Sequence, residues 1–192
     1  MRTPSHLIMT TVINYSIPQS QRKTVAFLLG SVLPDIPFAI LTVVYSLYFT
    51  ISGSTPNDTS LMEYLHFDLF FRDPIWIISH NIFHSLVVGF MMLLVAYIKR
   101  DTLWGKRLMW LTFGILLHTI IDIFTHHTDG PLFLFPLNWT YRFSSPISYW
   151  EPEYFGNQFR IFEYLLDIFL VLFSIRKLWQ SRKQSKQSIM TK

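Results

Sequence analysis

Four stretches of the chain, about residues 24–50, 75–98, 108–126 and 160–178, are apolar over the roughly 20 residues a helix needs to cross a bilayer. None is clean. The first carries "LPDIP", the second "SHNIFHS", the third "HTIID" and the fourth "FEYLLD". An ionisable side chain at mid-bilayer costs about 2.5–3.5 kcal/mol on insertion scales, so these groups must compensate one another or be held by something that does. The pattern predicts an all-α, membrane-embedded helical bundle with about four spanning helices. Residues 4–17 are apolar but too short to span, and predict a short additional N-terminal helix.

The rest of the composition fits that reading. Of 192 residues only 15% are charged, against ~25% in ordinary soluble domains, and 51% are hydrophobic. Residues 1–180 are expected to form a single domain, followed by a basic tail over 181–192. No cleavable signal peptide is expected, since the start "MRTPSHLIMTTVINYSIPQSQRK" has a broken apolar run and no small-residue cleavage pattern. There is no cysteine, which excludes disulfides and thiolate metal sites. The basic residues cluster at Arg22–Lys23, at Lys99, Arg100, Lys106 and Arg107, and after Arg176. By the positive-inside rule these loops and the C-terminus face the cytoplasm, and "SGSTPNDTS" and "TDGPLFLFPLNW" face outward. The net charge of +4 is therefore a topology signal, and the partner expected is the lipid bilayer and not nucleic acid.

Depth brings the interruptions together. Counted from the basic anchors at the helical rise, Asp35, His84, His118 and Asp122 lie ~17–22 Å up, Glu163 ~20 Å, and His80 and His126 ~28 Å. His80/His84, His118/Asp122 and Glu163/Asp167 are i,i+4 pairs, each on one helix face, and His126 continues the face of His118 and Asp122. His6 reaches a similar height if the chain turns at Pro18. Pro34 and Pro37 break the helix around Asp35. Ligand pairs on facing helices are how bundles build metal sites, so His6, Asp35, His80, His84, His118, Asp122 and His126 are the candidate metal ligands. A nitrogen and oxygen donor set without sulfur suits a divalent cation, zinc first, with manganese or iron as alternatives. Each residue also has a plainer role open to it. His80 and His84 can be packed histidines, His118/Asp122 a hydrogen-bonded pair, and Asp35 a helix cap. Glu163 and Asp167 are expected to pair with Arg160 and tyrosines. His66 is expected at the surface, and His127 and Asp129 in shaping their loop.

The stretches "PSHLI", "GSVLPDIP", "FHSL" and "LLHTIIDIFTHHTDGPLFLFPL", followed by "RFSSPISYW", stand in one order from Pro4 to about Trp150. In this the chain resembles the YdjM-like family of bacterial inner-membrane proteins described as metal-dependent hydrolases. The resemblance implies His6, Asp35, His84, His118 and Asp122 as metal ligands or catalytic groups, and the bacterial cytoplasmic membrane as location. The chain departs from the family pattern at Pro37, where a second aspartate is frequent, and at Ser79, where a histidine is frequent. More distantly the H-x-x-x-D motif is similar to zinc-dependent phospholipase C and P1-type nucleases, which implies phosphoester hydrolysis.

The chemistry expected is hydrolysis assisted by a metal-activated water, with Asp35 or Asp122 accepting its proton. The substrate is a small or lipid-like ester that enters sideways from the membrane. Arg142, in the aromatic loop "PLFLFPLNWTYRFSSPISYW", is the candidate for holding a phosphate. Two other classes stay open. A di-iron membrane oxygenase would use a histidine box such as "THHTD", but such sites take at least eight histidines and the chain has seven. A scaffold, or a metal or proton carrier, would use the same intramembrane groups without catalysis.

Overall fold

The computed structural model describes residues 1–17, 24–54 and 60–190, and over 181–190 the helix without its side chains. Arg22 and Lys23, the turn at Pro18, most of the loop "STPNDTS" and the side chains of the basic tail therefore lie outside the described residues. The described residues are helical, with no strand. In order they form α1 (Thr3–Ser16), α2 (Thr24–Gly30), α3 (Asp35–Ser52), α4 (Leu61–Glu63), a π-helical segment Tyr64–Leu69, α5 (Phe70–Arg72), α6 (Pro74–Asn81), α7 (Leu86–Ile98), α8 (Leu103–Thr125), a 3-10 turn Pro152–Tyr154 and α9 (Gly156–Met190).

The chain breaks where its local chemistry says it should. Pro34 has no N–H to continue α2, and α3 restarts at Asp35. Asp73 caps α6, accepting from the N–H groups of Ile75 (2.8 Å) and Trp76 (3.2 Å), with Pro74 in the first helical position. Ser85 caps α7 by accepting from Val88 N–H, and Thr102 caps α8 by accepting from Gly105 N–H.

Among the described residues two helices, α3 with 18 residues and α8 with 23, are long and apolar enough to cross a membrane. A third crossing is made if α6 and α7, bent by 49° across their short break, count as one span. The sequence expectation of about four spans is thus only partly met. The first expected span is cut at Ser31–Pro34 and the second at 82–85. The fourth, within α9, carries Arg160, Glu163, Asp167, Arg176 and Lys177, too many charges for a plain apolar span.

The distribution of polarity is that of a bundle in lipid. α3 has no buried residue, and its Ile40, Val43, Val44, Leu47, Tyr48 and Ile51 are all more than half exposed. The interior, by contrast, holds Ser5, His6, Thr10, Asn14, Asn81, His84, Thr112, His118, Thr119, Asp122 and Glu163. Ionisable groups in such bundles face inward and pair with one another.

α8 is the central strut. It packs on α2 along one side and on α7 along another. The α2 contact is a glycine crossing: a Cβ on Gly30 would overlap the Leu111 carbonyl, and one on Gly114 would overlap the Phe27 carbonyl. The loop from His126 to Trp150 folds back over the end of α8, with Tyr149 N–H donating to Thr125 O (2.8 Å) and Ser145 Oγ to Phe124 O (2.7 Å). It also covers the α6–α7 break, where Leu86 N–H donates to Phe133 O (2.9 Å) and Leu132 N–H to Asn81 Oδ1 (2.6 Å).

The glycine crossing yields a test. Gly30→Val forces α2 off α8, and overpacking of this kind costs about 1–3 kcal/mol. The thermal midpoint of the detergent-solubilised variant is expected to fall by several degrees, while Gly53→Ala, where an added Cβ meets open space but the backbone φ is +63°, tests strain without packing. An unchanged midpoint in Gly30→Val would contradict the close approach.

Candidate metal centre

Four of the expected donors converge. Asp35 at the start of α3, His84 in the α6–α7 break, and His118 and Asp122 on α8 each offer one ligand atom, and these atoms all lie within 4.8 Å of one another. Both imidazoles are oriented by the backbone. His84 Nδ1 donates to His80 O at 2.6 Å, and His118 Nδ1 donates to Ser31 O at 2.8 Å. A carbonyl only accepts, so each Nδ1 carries the hydrogen, and in the neutral ring each Nε2 lone pair faces the cluster.

The two accepting carbonyls are free because helices break beside them. In a continuous helix Ser31 O would take the N–H of Asp35, but that N–H turns to Val32 O (3.2 Å), and Pro34 has no N–H to offer. His80 lies in the last turn of α6, where carbonyls lack helical partners, and the side chain four residues on supplies one.

The distances bear on whether these groups could hold a metal ion. His84 Nε2 lies 3.1 Å from His118 Nε2, 3.5 Å from Asp35 Oδ1 and 3.5 Å from Asp122 Oδ2. His118 Nε2 lies 3.4 Å from Asp35 Oδ1 and 3.0 Å from Asp122 Oδ2. Charge-assisted hydrogen bonds are shorter, about 2.7–2.9 Å, and three of these contacts are well outside that range. A tetrahedral ion with ~2.0–2.1 Å bonds sets neighbouring donors roughly 3.3–3.4 Å apart, close to the three longer contacts at 3.4–3.5 Å. Without a cation the two Nε2 atoms at 3.1 Å also need a proton between them, and the two carboxylates repel. The four donors could therefore hold a metal ion.

The other expected ligands lie around this group. His6 Nε2 meets the far oxygen of Asp122, Oδ1, at 2.9 Å, and its ring stacks on His118 at 3.7 Å. The Met1 amine also donates to Asp122 Oδ1 (2.8 Å) and to Thr125 Oγ1 (2.8 Å). His80 stacks on His84 at 4.3 Å, and its two buried ring nitrogens have no hydrogen-bond partner among the described residues. His126 Nδ1 donates to Asp122 O at 3.0 Å. His6, His80 and His126 thus border the four-donor group and stand outside it. Arg142 donates to Gly130 O and lies over the rings of Phe70 and Phe71, 5.1 and 5.2 Å from their centroids.

A cavity of about 640 Å³ opens onto the cluster. Asp35 and Asp122 line it together with His80 and His126, and its apolar wall includes Phe38, Phe67, Phe70 and Phe71. His66, expected at the surface, lines this cavity as well, with Nδ1 donating to Met62 O (2.9 Å). The π-helical segment carries it there. His127 does shape its loop, donating from Nδ1 to Ser145 O (2.6 Å) and stacking on Tyr154.

Some partners were not readable from the sequence. Glu163 and Asp167 pair with Arg2, where Arg160 and tyrosines were expected. Arg2 Nε lies 3.0 Å from Glu163 Oε2, Arg2 N–H donates to Glu163 Oε1 (2.9 Å), and Arg2 Nη2 lies 3.8 Å from Asp167. Arg160 instead reaches Asn157. Thr3 donates its hydroxyl to Asp35 Oδ2.

At the cavity rim, Asp129 accepts from Trp150 Nε1 (3.0 Å). Burial pushes its carboxyl up to about 6, and burial brings the Arg142 guanidinium down to about 10 against the pull of Asp129. Between pH ~4 and ~6 the folded chain keeps a proton on Asp129 that the unfolded chain has released, so stability falls as pH rises through that window. Asp129→Asn is expected to raise the thermal midpoint at pH 7 and to lose that advantage near pH 4. A gain that is the same at both pH values would contradict the raised carboxyl.

Searches of curated proteins and of solved structures return no match. A family model described as YdjM inner membrane protein matches residues 1–184, which include all four converging donors, and the chain belongs to that family.

Proposed function

We propose that the chain is a membrane-embedded, zinc-dependent hydrolase acting on a phosphoester or other ester of a lipid-like substrate. The observation that carries the reading is the four-donor cluster whose two carboxylates, Asp35 and Asp122, line a cavity walled in part by phenylalanines. His84, His118, Asp35 and Asp122 would hold the ion. Two neutral imidazoles and two carboxylates make an uncharged set with a divalent cation, and that donor set suits zinc. When bound, such a cation supplies Lewis acidity to a water and to the scissile ester.

The chain's own residues divide the remaining work. Asp122 is 5% exposed and its Oδ1 is already held by His6 and the Met1 amine, so it serves to hold and neutralise. Asp35 is 28% exposed and lines the cavity, and its Oδ2, which keeps a lone pair beside the Thr3 hydrogen bond, would take a proton from water. Phe38, Phe67, Phe70 and Phe71 would seat an apolar tail and keep water away from it. Arg142, lying over two of these rings, is assigned to a phosphate head group. The phosphoester preference itself rests on the likeness of the H-x-x-x-D motif to phospholipase C and P1-type nucleases, at the strength of analogy.

The same reading treats α9 as a further crossing. Its charges Glu163 and Asp167 are paired internally with Arg2, and Ile161, Leu165, Ile168, Phe169 and Leu172 are exposed as lipid-facing residues would be. The basic loop around Lys99–Arg107 and the C-terminus then face the cytoplasm.

Metal analysis of the purified full chain is expected to find about one zinc per molecule. His118→Ala should lose that zinc and reduce hydrolysis of short-chain phospholipid or aryl phosphodiester substrates to background. A folded wild type without metal, or a His118→Ala variant that still hydrolyses, would overturn the proposal. Tight metal with no hydrolysis of any ester would favour the carrier or scaffold. Two irons per chain would favour the oxygenase.

A further inference from the structure

Glu163 on α9 is 1% exposed, and both its oxygens are taken by one residue, Arg2. A carboxylate buried this deeply is strongly destabilising if its partner is removed, so the pair fixes Arg2 firmly. The geometry fixes more than the side chain. Arg2 gives Glu163 its backbone N–H as well as its Nε, so the main chain at the start of α1 is held in place. Two neighbouring contacts add to this. Ser5 Oγ donates to Asp167 Oδ2 (2.7 Å), and the Arg2 guanidinium lies 3.9 Å from the centre of the Tyr164 ring.

The next residue, Thr3, donates its hydroxyl to Asp35 Oδ2. That leaves Asp35 Oδ1 turned toward His84 and His118. Asp35 needs such a restraint more than the other donors do. Its side chain is 28% exposed, against 5% for Asp122 and none for the two histidines, and it borders an open cavity into which it could rotate.

We propose that Thr3 is a positioning residue for the metal-site carboxylate Asp35, and that Glu163 on α9 acts on the same carboxylate through Arg2 and Thr3. The inference rests on the metal-site reading above. It adds that ion affinity is set in part by α9, 128 residues along the chain from the carboxylate it controls (163 − 35). Partners of this kind typically change metal affinity by about 10–100-fold.

The test measures zinc affinity of the full chain in detergent by competition with a chromophoric chelator, alongside the rise in thermal midpoint on adding zinc. Thr3→Ala is expected to weaken zinc binding by about 10-fold or more, and Thr3→Ser, which keeps the hydroxyl, to bind as wild type does. Glu163→Gln is expected to weaken binding too. The double variant should be no weaker than the worse single one, because both act through one contact. Wild-type affinity in Thr3→Ala, or losses that multiply in the double variant, would overturn the proposal. If Glu163→Gln does not fold, the Thr3→Ala and Thr3→Ser pair decides alone. A wild type that binds no zinc overturns the metal-site reading and this proposal with it, whereas zinc binding indifferent to Thr3 overturns this proposal only.

Discussion

The structure depends on two backbone carbonyls left without helical partners. Ser31 O and His80 O each take an imidazole Nδ1–H, and each turns an Nε2 into the same small space. In a bilayer a free carbonyl is costly unless something satisfies it, and helix breaks are tolerated where a side chain does so. The same two breaks therefore explain why spans one and two are interrupted and why His84 and His118 point as they do. The greasy character of the chain and its polar interior are two sides of one arrangement.

That arrangement also sorts the acids. Asp122 is gripped from behind by His6 and the Met1 amine. Asp35 is gripped by Thr3, and through Arg2 by α9. Neighbouring elements thus restrain the far oxygen of each carboxylate and leave the near oxygen for the cluster. Donors held in this way lose little freedom when a cation binds, which is what a site built for tight, specific binding requires.

Much of the site could be read from the sequence, and for identifiable reasons. The i,i+4 spacing of His118 and Asp122 survives because α8 is unbroken over both. Asp35 could be placed because the prolines on either side of it end one helix and start another. The i,i+4 spacing of His80 and His84 correctly made them neighbours, and their rings do stack. It could not say that only His84 joins the four-donor group, because His84 lies past the end of α6, where helical periodicity stops. The span count was met only in part for a related reason. Hydropathy over a window does not see a helix break, and two of the expected apolar stretches are cut, at Ser31–Pro34 and at 82–85. The contact between Thr3 and Asp35 is tertiary, and no spacing rule contains it.

The most direct test is X-ray absorption at the zinc edge of the purified, zinc-loaded chain. The account predicts a shell of four or five nitrogen and oxygen donors at about 2.0–2.2 Å, the four protein donors with room for a water, and the outer-shell scattering of two imidazoles. A shell of oxygen alone, or one without imidazole scattering, would contradict it, since His84 and His118 would then not be holding the ion.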